Sequence, residues 1–291
     1  MSERRLVYGN YTQDELNVQY EQRTLVPDVA PYMAYWASAS AAARAALDCR
    51  LDVAYGPGAA ERLDIFPVPG ATGVPVHVHI HGGAWRLLSR ADASFPAPNF
   101  VAAGAAFVAL DIASVNDASL DEVVRQARAG VAWVHQNAAT FGADPDRLTL
   151  SGHSSGAHLA ATVLADGWRA AHGLPEAAIK GALLLSGPYD LAPVRLSARN
   201  DFLHLDEAAA RRLSGLYHVP KNGPPLVVGW GEGEHTEYRR QGAAMAAAWA
   251  AAGNPVETME LPGLNHFDVS QTFGDPDSIV VRTALAQMGL G

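Results

Sequence analysis

From about residue 50 to its end, the chain alternates short apolar runs with longer helical patterns, and this alternation constrains the fold more than any other feature of the sequence. Continuous apolar runs bounded by turn residues are typical of strands that are buried on both faces of a sheet. When helices separate such strands, the strands pair in parallel and the helices cover both faces. The sequence therefore predicts an α/β fold with a mostly parallel central sheet, and 291 residues suit a single domain.

The individual elements can be placed from the apolar periodicity. The predicted strands are LDVAY (51–55), RLDIF (62–66), VPVHVHI (74–80), AAFVAL (105–110), RLTLSG (147–152), KGALLLSG (180–187), PPLVVGW (224–230) and VETMEL (256–261). The predicted helices cover about 93–103, 119–139, 155–165, 206–213, 236–252 and 277–288. Because a Gly-Pro-Gly turn at 56–58 joins the first two strands, we expect them to form an antiparallel hairpin at one edge of the sheet.

Residues 1–50 follow a different pattern. They hold a helix candidate near 13–22 and a longer, Ala-rich candidate near 28–47, whose first turns carry Tyr35 and Trp36. Two such helices could bury little apolar surface by themselves. We therefore expect an N-terminal helical arm that packs on the α/β domain.

The stretch Gly152-His153-Ser154-Ser155-Gly156 has the pattern G-x-S-x-G between a predicted strand and a predicted helix. Such a turn pushes the serine hydroxyl out above the sheet, and the flanking glycines avoid clashes there. The positive end of the helix dipole also points at the hydroxyl. We therefore predict that Ser154 is a nucleophile. The alternatives are an ordinary serine helix cap and Ser155 as the reacting hydroxyl.

A serine hydroxyl needs a base to accept its proton, and the base needs a third group to orient it. In folds with this serine turn, the acid and then the histidine follow the serine in the chain. His266 lies in the segment PGLNHFD (262–268) after the last predicted strand, and it is the predicted base. Its rival is His235, at a predicted helix start.

The acid is predicted from the segment after the strand PPLVVGW, which contains glutamates and no aspartate. Glu232 and Glu234 both qualify by position, because a glutamate can accept the Nδ1–H of a histidine with a longer reach than aspartate. We prefer Glu234. Asp190, in SGPYD after an earlier strand, is the remaining candidate, and its alternative role is a helix or turn cap.

Three histidines at alternate positions, His77, His79 and His81, run into a pair of glycines. On a strand they share one face, and imidazoles at this spacing can bind zinc. The chain has no H-x-H-x-D-H run and no HExxH helix that would supply further ligands. We therefore expect no metal site, and we expect His77 and His79 to pack under a helix.

The glycine pair belongs to His81-Gly82-Gly83-Ala84-Trp85, which follows the third predicted strand. In folds with this serine turn, the loop at this point supplies half of the oxyanion hole. We predict the amides of Gly83, Ala84 and Ser155 as the oxyanion donors, with Gly82 shaping the loop.

Composition and charge exclude several classes of partner. A formal net charge of −9 argues against nucleic acid, which needs a basic face. The most apolar stretch, VAAGAAFVAL (101–110), is too short to span a bilayer, and no apolar run follows the charged N-terminus as in a secretory signal. The single cysteine, Cys49, cannot form an internal disulfide. We expect a soluble cytoplasmic protein, as a monomer or homodimer, with no membrane or nucleic-acid partner.

These motifs resemble the arylformamidase (kynurenine formamidase) branch of the α/β-hydrolase esterases, which has H-G-G-x-W and G-H-S-x-G motifs. The resemblance extends to four further segments: LNVQYEQRTLVPD in the arm, SLDEVVRQ at 119–126, SGPYDL at 186–191 and EYRRQ at 237–241. One segment departs from the family, since ALDIASVNDAS (109–119) lacks the family's N-Y-x-L-x-P pattern. The resemblance implies an α/β-hydrolase fold, no metal or cofactor, and a cytosolic enzyme that cleaves an aryl formamide to formate and an arylamine. Many members also hydrolyse short aryl esters. Alignment of EYRRQ with the family's E-F-x-R-Q-like segment puts Glu234 at the acid position.

We therefore predict a serine hydrolase that cleaves a small carboxylic ester or aryl formamide through an acyl-enzyme. The alternatives are a strict N-formylkynurenine formamidase of tryptophan catabolism and a non-catalytic protein that binds a small ligand. Candidates for contact with an aromatic substrate are Trp85, Tyr35, Trp36, Tyr189 and Phe267. The alternative for each of these aromatic side chains is packing in the core or the arm.

Overall fold

A central sheet organises the protein, in a computed structural model that describes residues 5–291. Its strands are β1 (Arg50–Ala54), β2 (Arg62–Phe66), β3 (Val74–Ile80), β4 (Ala106–Leu110), β5 (Ala143–His153), β6 (Ile179–Leu185), β7 (Leu226–Gly231) and β8 (Val256–Leu261). They are arranged in the order β1-β2-β4-β3-β5-β6-β7-β8. β2 pairs antiparallel with β1 and β4, and all other neighbours pair in parallel. This confirms the mostly parallel sheet with an antiparallel hairpin at one edge.

Several strands differ by a residue or two from their predicted bounds, and β5 and β7 begin where they do for local reasons. β5 begins at Ala143, because Ala143 pairs with Val74 ahead of an irregularity in the register. β7 begins at Leu226, since the prolines before it have no N–H to donate to a sheet ladder.

Helices cover both faces of the sheet. They are α1 (Gln13–Gln19), α2 (Ala30–Ala46), α3 (Ala97–Ala102), α4 (Leu120–Asn137), α5 (Ser155–Leu164), α6 (Ala192–Leu196), α7 (Asn200–Leu203), α8 (Glu207–Leu213), α9 (Thr236–Ala251), α10 (His266–Gln271) and α11 (Ile279–Gln287). One buried apolar cluster joins α4, α5 and α9 to one face of the sheet, and a second joins α2, α3 and α11 to the other face. Over residues 5–291, none of the helices is long and apolar enough to cross a membrane.

Three short helices, α6, α7 and α10, lie where the sequence pattern predicts none. α10 matters most, because it begins at His266. Asn265 Oδ1 accepts the N–H groups of Phe267 and Asp268, and the Asp268 carboxylate accepts the Asn265 N–H. This capping box fixes the backbone at His266, where the sequence pattern predicted no helix.

The N-terminal arm makes polar and apolar contacts with the rest of the protein. Tyr20 donates its hydroxyl hydrogen to Glu237 Oε1 at 3.2 Å, and Tyr32 donates to Asp268 Oδ1 at 2.8 Å. Trp36 is buried, with its ring centroid 6.3 Å from that of Phe267. The arm therefore lies directly against the segment that carries His266.

The first two histidines of the β3 strand, His77 and His79, are both buried. The His77 ring stacks on Phe100 with centroids 4.4 Å apart, and its nitrogens contact the hydroxyls of Thr149 and Ser151 at 2.8 and 2.7 Å. His79 contacts the same Ser151 hydroxyl at 2.8 Å, and burial lowers the pKa of His79 to about 3. The prediction that these residues pack under a helix is confirmed for His77, which lies against α3, while His79 packs edge-on against Phe273 of the 3-10 turn at 272–274, with ring centroids 4.8 Å apart. Across the described part of the chain, no cluster of three or more His, Cys, Asp or Glu side chains could hold a metal ion.

Candidate active site

Ser154 lies in the turn between β5 and α5, with φ +56° and ψ −124°. This left-handed backbone is strained for a residue other than glycine, and it is the geometry expected of a nucleophile turn. A Cβ on Gly152 would lie 2.4 Å from the Gly156 carbonyl oxygen, and one on Gly156 would lie 2.1 Å from the Ile80 carbonyl oxygen. Both positions therefore require glycine, because the strand, turn and helix approach one another so closely.

His266 bridges the serine and a carboxylate. Its Nε2 lies 2.9 Å from Ser154 Oγ, and its Nδ1 donates a hydrogen bond to Glu234 Oε1. The ring is buried at the first position of α10, and His153 Nε2 donates to the His266 carbonyl oxygen at 2.9 Å. The edge of the buried Tyr238 ring also packs on it, with centroids 5.0 Å apart. The imidazole is thus fixed by contacts on several sides.

Glu234 is also buried, and its second oxygen is hydrogen-bonded. Oε2 accepts from the Ser186 hydroxyl at 2.9 Å and from the Gly231 N–H at 3.0 Å, which leaves Oε1 for His266. Both oxygens of this buried carboxylate therefore have hydrogen-bond partners within the protein.

The other candidates for acid and base lie in different surroundings. Glu232 is exposed and accepts the N–H of Gly263 at 2.9 Å. Asp190 accepts the N–H of Ala192 at 2.9 Å, the turn-cap role that we gave as its alternative. His235 contacts the Thr24 hydroxyl of the arm at 2.9 Å. Only Glu234, among these, contacts His266.

The loop after β3 passes beside the nucleophile. A Cβ on Gly82 would lie 3.2 Å from the Cβ of Ser154. Gly83, Ala84 and Trp85 all have positive φ, at +101°, +56° and +59°. The Trp85 N–H donates to the Ser155 hydroxyl at 3.1 Å, which ties the loop to the start of α5.

A cavity of about 660 Å³ opens over Ser154 and His266. Its lining includes Gly82, Gly83 and Ala84, together with residues of the N-terminal arm and of the segments 86–95 and 198–202. Of the predicted aromatic contacts, Trp36 and Phe267 line this cavity.

The other predicted aromatic contacts, Trp85, Tyr35 and Tyr189, lie outside the cavity wall and pack elsewhere, as their stated alternatives allow. Trp85 is buried and its indole N–H donates to His158 Nδ1 at 3.1 Å. Tyr35 packs edge-on against Phe95, with ring centroids 5.8 Å apart. Tyr189 is fully buried in the core.

Sequence reasoning missed two residues that contact the site. Ser186 follows β6 in S-G-P, and its position at a strand end was the one available signal. Tyr238 lies on α9 in EYRRQ, and its ring packs on the ring of His266 with centroids 5.0 Å apart. Burial raises the pKa of Tyr238, so the phenol remains protonated at neutral pH.

Comparisons with known proteins agree with this architecture. Residues 63–174 match the family model described as BD-FAE. The kynurenine formamidase of Salmo salar is 32% identical over 85% of this chain and 84% of its own length, and that of Danio rerio is 29% identical over 97% and 98%. Esterase LipQ of Mycobacterium tuberculosis is 29% identical over 76% of this chain and 58% of its own length.

Among solved structures, a candidate thioesterase from Silicibacter sp. TM1040 superposes with a TM-score of 0.78 and 25% identity, over 93% of this chain and 98% of its own. The fold and these relatives define the protein as an enzyme of the α/β-hydrolase class that cleaves ester or formamide bonds. Within that class, the chain belongs to the kynurenine formamidase family.

Proposed function

We propose that this enzyme is a serine hydrolase that cleaves a small carboxylic ester or aryl formamide through an acyl-enzyme. Ser154 is the nucleophile, His266 the base and Glu234 the acid. The observation that carries the proposal is the position of His266, between Ser154 Oγ and the Glu234 carboxylate. Because a carboxylate only accepts, Nδ1 bears the proton of the neutral ring, and Nε2 is free to take the proton of Ser154.

In the first half of the reaction, Ser154 Oγ bonds to the carbonyl carbon of the substrate while its proton passes to His266 Nε2. Glu234 stabilises the imidazolium that forms. The tetrahedral intermediate then breaks the bond from the carbonyl carbon to the leaving oxygen or nitrogen, and Nε2 returns the proton to that leaving atom. Ser154 is left acylated, or formylated when the substrate is a formamide.

In the second half, water replaces the leaving group. The water oxygen bonds to the acyl carbon while His266 takes a proton from the water. The protonated His266 then gives this proton to Ser154 Oγ as the bond between Oγ and the acyl carbon breaks. The products are a carboxylic acid and the regenerated hydroxyl.

The backbone amides of Gly83, Ala84 and Ser155 are the proposed hydrogen-bond donors to the oxyanion of both tetrahedral intermediates. Support comes from the approach of Gly82 to Ser154 and from the bond between the Trp85 N–H and the Ser155 hydroxyl, which holds the two donor segments together. Loss of one such donor typically costs about 10²–10³ in kcat.

The cavity supports an aromatic substrate of modest size. Its volume lies within the range of small-molecule sites, and Trp36 and Phe267 offer aromatic walls. Exposed apolar side chains at the cavity, Val18, Met33 and Leu87, suit the entry of an apolar leaving group.

The specificity is tested by comparing kcat/KM for N-formyl-L-kynurenine and a panel of short-chain aryl esters, with Ser154→Ala as the blank. The serine mechanism predicts that Ser154→Ala folds and loses nearly all turnover of both substrate types. Normal turnover by this variant would contradict the mechanism. A formamide preference of several orders of magnitude would favour the strict formamidase, whereas preferred esters would favour an esterase.

A further inference from the structure

His81 joins the glycine loop beside Ser154 to a buried group of charges. Its ring is 5% exposed and lines the cavity. Nδ1 lies 2.8 Å from the Gly82 carbonyl oxygen, and Nε2 lies 3.4 Å from Asp111 Oδ1. A carbonyl and a carboxylate both accept hydrogen bonds and cannot donate them. Since a neutral imidazole has one N–H, the ring satisfies both contacts only when both nitrogens are protonated.

Asp111 is held as a carboxylate by its other partners. Its Oδ2 accepts from Arg90 Nη1 at 2.6 Å, and its Oδ1 accepts the Ile112 N–H at 3.1 Å. Burial opposes ionisation, but the hydrogen bonds and charges of His81 and Arg90 keep the pKa of Asp111 below its usual value. Arg90 is in turn fixed by Asp64 at 3.1 Å and by Asp52 at 2.5 Å.

The charges around His81 come from three elements. His79, two residues before His81, carries no opposing charge at neutral pH, because burial and the charge of His81 lower the pKa of His79 to about 3. Asp111 after β4 and Asp92 in the turn at 90–92 favour it, while Arg90 lies on the far side of Asp111. Burial lowers the pKa of His81, but Asp111, the Gly82 carbonyl and Asp92 together raise it above its ordinary value.

The contact with Gly82 has a geometric consequence for the next residue. The Gly82 carbonyl and the Gly83 N–H belong to one trans peptide unit and point in opposite directions. The hydrogen bond from the His81 ring to the Gly82 carbonyl therefore also fixes the direction of the Gly83 N–H. The loop has little room to adjust, since a Cβ on Gly83, at φ +101°, would lie 2.0 Å from the Leu87 carbonyl oxygen.

We propose that His81 is a positioning residue that works as a doubly protonated imidazolium, bridging Asp111 and the Gly82 carbonyl so that the Gly83 amide points at the oxyanion. The proposal rests on the proposed function, in which Gly83 is an oxyanion donor. It adds a dependence on pH: the bridge needs the cation, and loss of the cation as the pH rises releases one end of the bridge. Activity should therefore have an alkaline limb that comes from His81.

The test compares the pH profiles of kcat for the wild type, Asp111→Asn and Asp117→Asn. Asp117 is exposed in the same segment, so its variant carries the same charge change as a matched control. Removing the Asp111 charge should move the alkaline limb to lower pH by about one unit or more and lower kcat, because an opposite charge at contact shifts a pKa by about that much. The Asp117→Asn profile should match the wild type. An Asp111→Asn alkaline limb that coincides with the wild type would overturn the proposal.

A second measurement reads the His81 ring directly in the unaltered network and requires no turnover. In ¹⁵N-histidine-labelled protein, both ring nitrogens of His81 should show the shifts of protonated nitrogen at pH 7.5, with the resonance assigned by its loss in His81→Gln. One unprotonated ring nitrogen at this pH would refute the proposal. Repeating the spectrum in Ser154→Ala separates the two ideas, because the state of the His81 ring does not depend on whether Ser154 is the nucleophile.

Discussion

Ser186 donates a hydrogen bond of 2.9 Å to Glu234 Oε2, the carboxylate oxygen that does not contact His266. Together with the Gly231 N–H on the same oxygen, this bond fixes the rotation of the carboxylate and so the direction of the bond to His266. The orientation of the Glu234 carboxylate, the proposed acid, therefore depends on Ser186, which follows the neighbouring strand β6.

We expect Ser186→Ala to lower kcat/KM by about tenfold. A hydrogen bond to a charged group is worth about 1.5–3 kcal/mol, and the Gly231 N–H retains part of the restraint. Steady-state kinetics on an aryl ester, with thermal unfolding as the folding control, measures the effect. Unchanged kcat/KM would show that the carboxylate needs no such restraint.

Glu232 and Glu234, two positions apart, offer a matched pair of variants that tests which residue is the acid. Glu234→Gln removes the charge that stabilises the imidazolium, and we expect kcat to fall by about 10³–10⁴. Glu232→Gln changes the same side chain two positions away, on an exposed residue, and should leave kcat near the wild-type value. Comparable losses in both variants, or the larger loss at Glu232, would contradict the assignment.

Two neighbouring aromatics on α2 test the cavity wall. Trp36 lines the cavity and Tyr35 does not, so Trp36→Leu should raise KM for an aryl substrate by roughly fivefold, while kcat changes little. Tyr35→Leu should raise KM much less. Initial-rate kinetics across a series of aryl and alkyl leaving groups measures this difference, and equal effects of the two variants would argue against the arm as the substrate wall.

His158 makes the stability depend on pH. Its Nδ1 accepts the Trp85 indole N–H, its Nε2 donates to the Leu213 carbonyl oxygen, and burial lowers its pKa to about 4. A depressed histidine pKa stabilises the fold fully above the unfolded value near 6.5, and this contribution is lost as pH falls toward the folded value. Between pH 7.5 and 5, the loss should be about 2 kcal/mol.

Urea unfolding at these two pH values checks that expectation. His158→Gln should reduce the pH dependence of the unfolding free energy by about the same amount, whereas His218→Gln, at an exposed position, should preserve it. If the His158→Gln protein keeps the full pH dependence, the protonation of this ring is not its source.

The sheet could be predicted because its strands are continuous apolar runs, whose pattern is local. The strand-to-helix turn at Ser154 could be predicted for the same reason, since strand, serine and helix are adjacent in sequence.

The helix at His266 was missed, although Asn265 and Asp268 form a capping pair three residues apart. The pattern was present, but the apolar periodicity of a short helix is too brief to reveal it.

The aromatic wall could be predicted only in part: Trp36 and Phe267 line the cavity, but three other candidates do not, because the sequence gives the size of a side chain and not its direction. Trp85 follows Ala84 in a run of positive φ angles, which turns its ring into the core toward His158. Ser186 reaches Glu234 across 48 residues of sequence, so no local pattern marks the contact.

The central claim is that hydrolysis proceeds through a covalent bond to Ser154. The most direct measurement is intact-protein and peptide mass spectrometry after reaction with an aryl phosphonate that mimics the tetrahedral intermediate. The account predicts one phosphonyl group per chain, located on the peptide that carries Ser154, with parallel loss of turnover and no labelling of Ser154→Ala. Full activity in the presence of the phosphonate, or inactivation with the label on another residue, would contradict it.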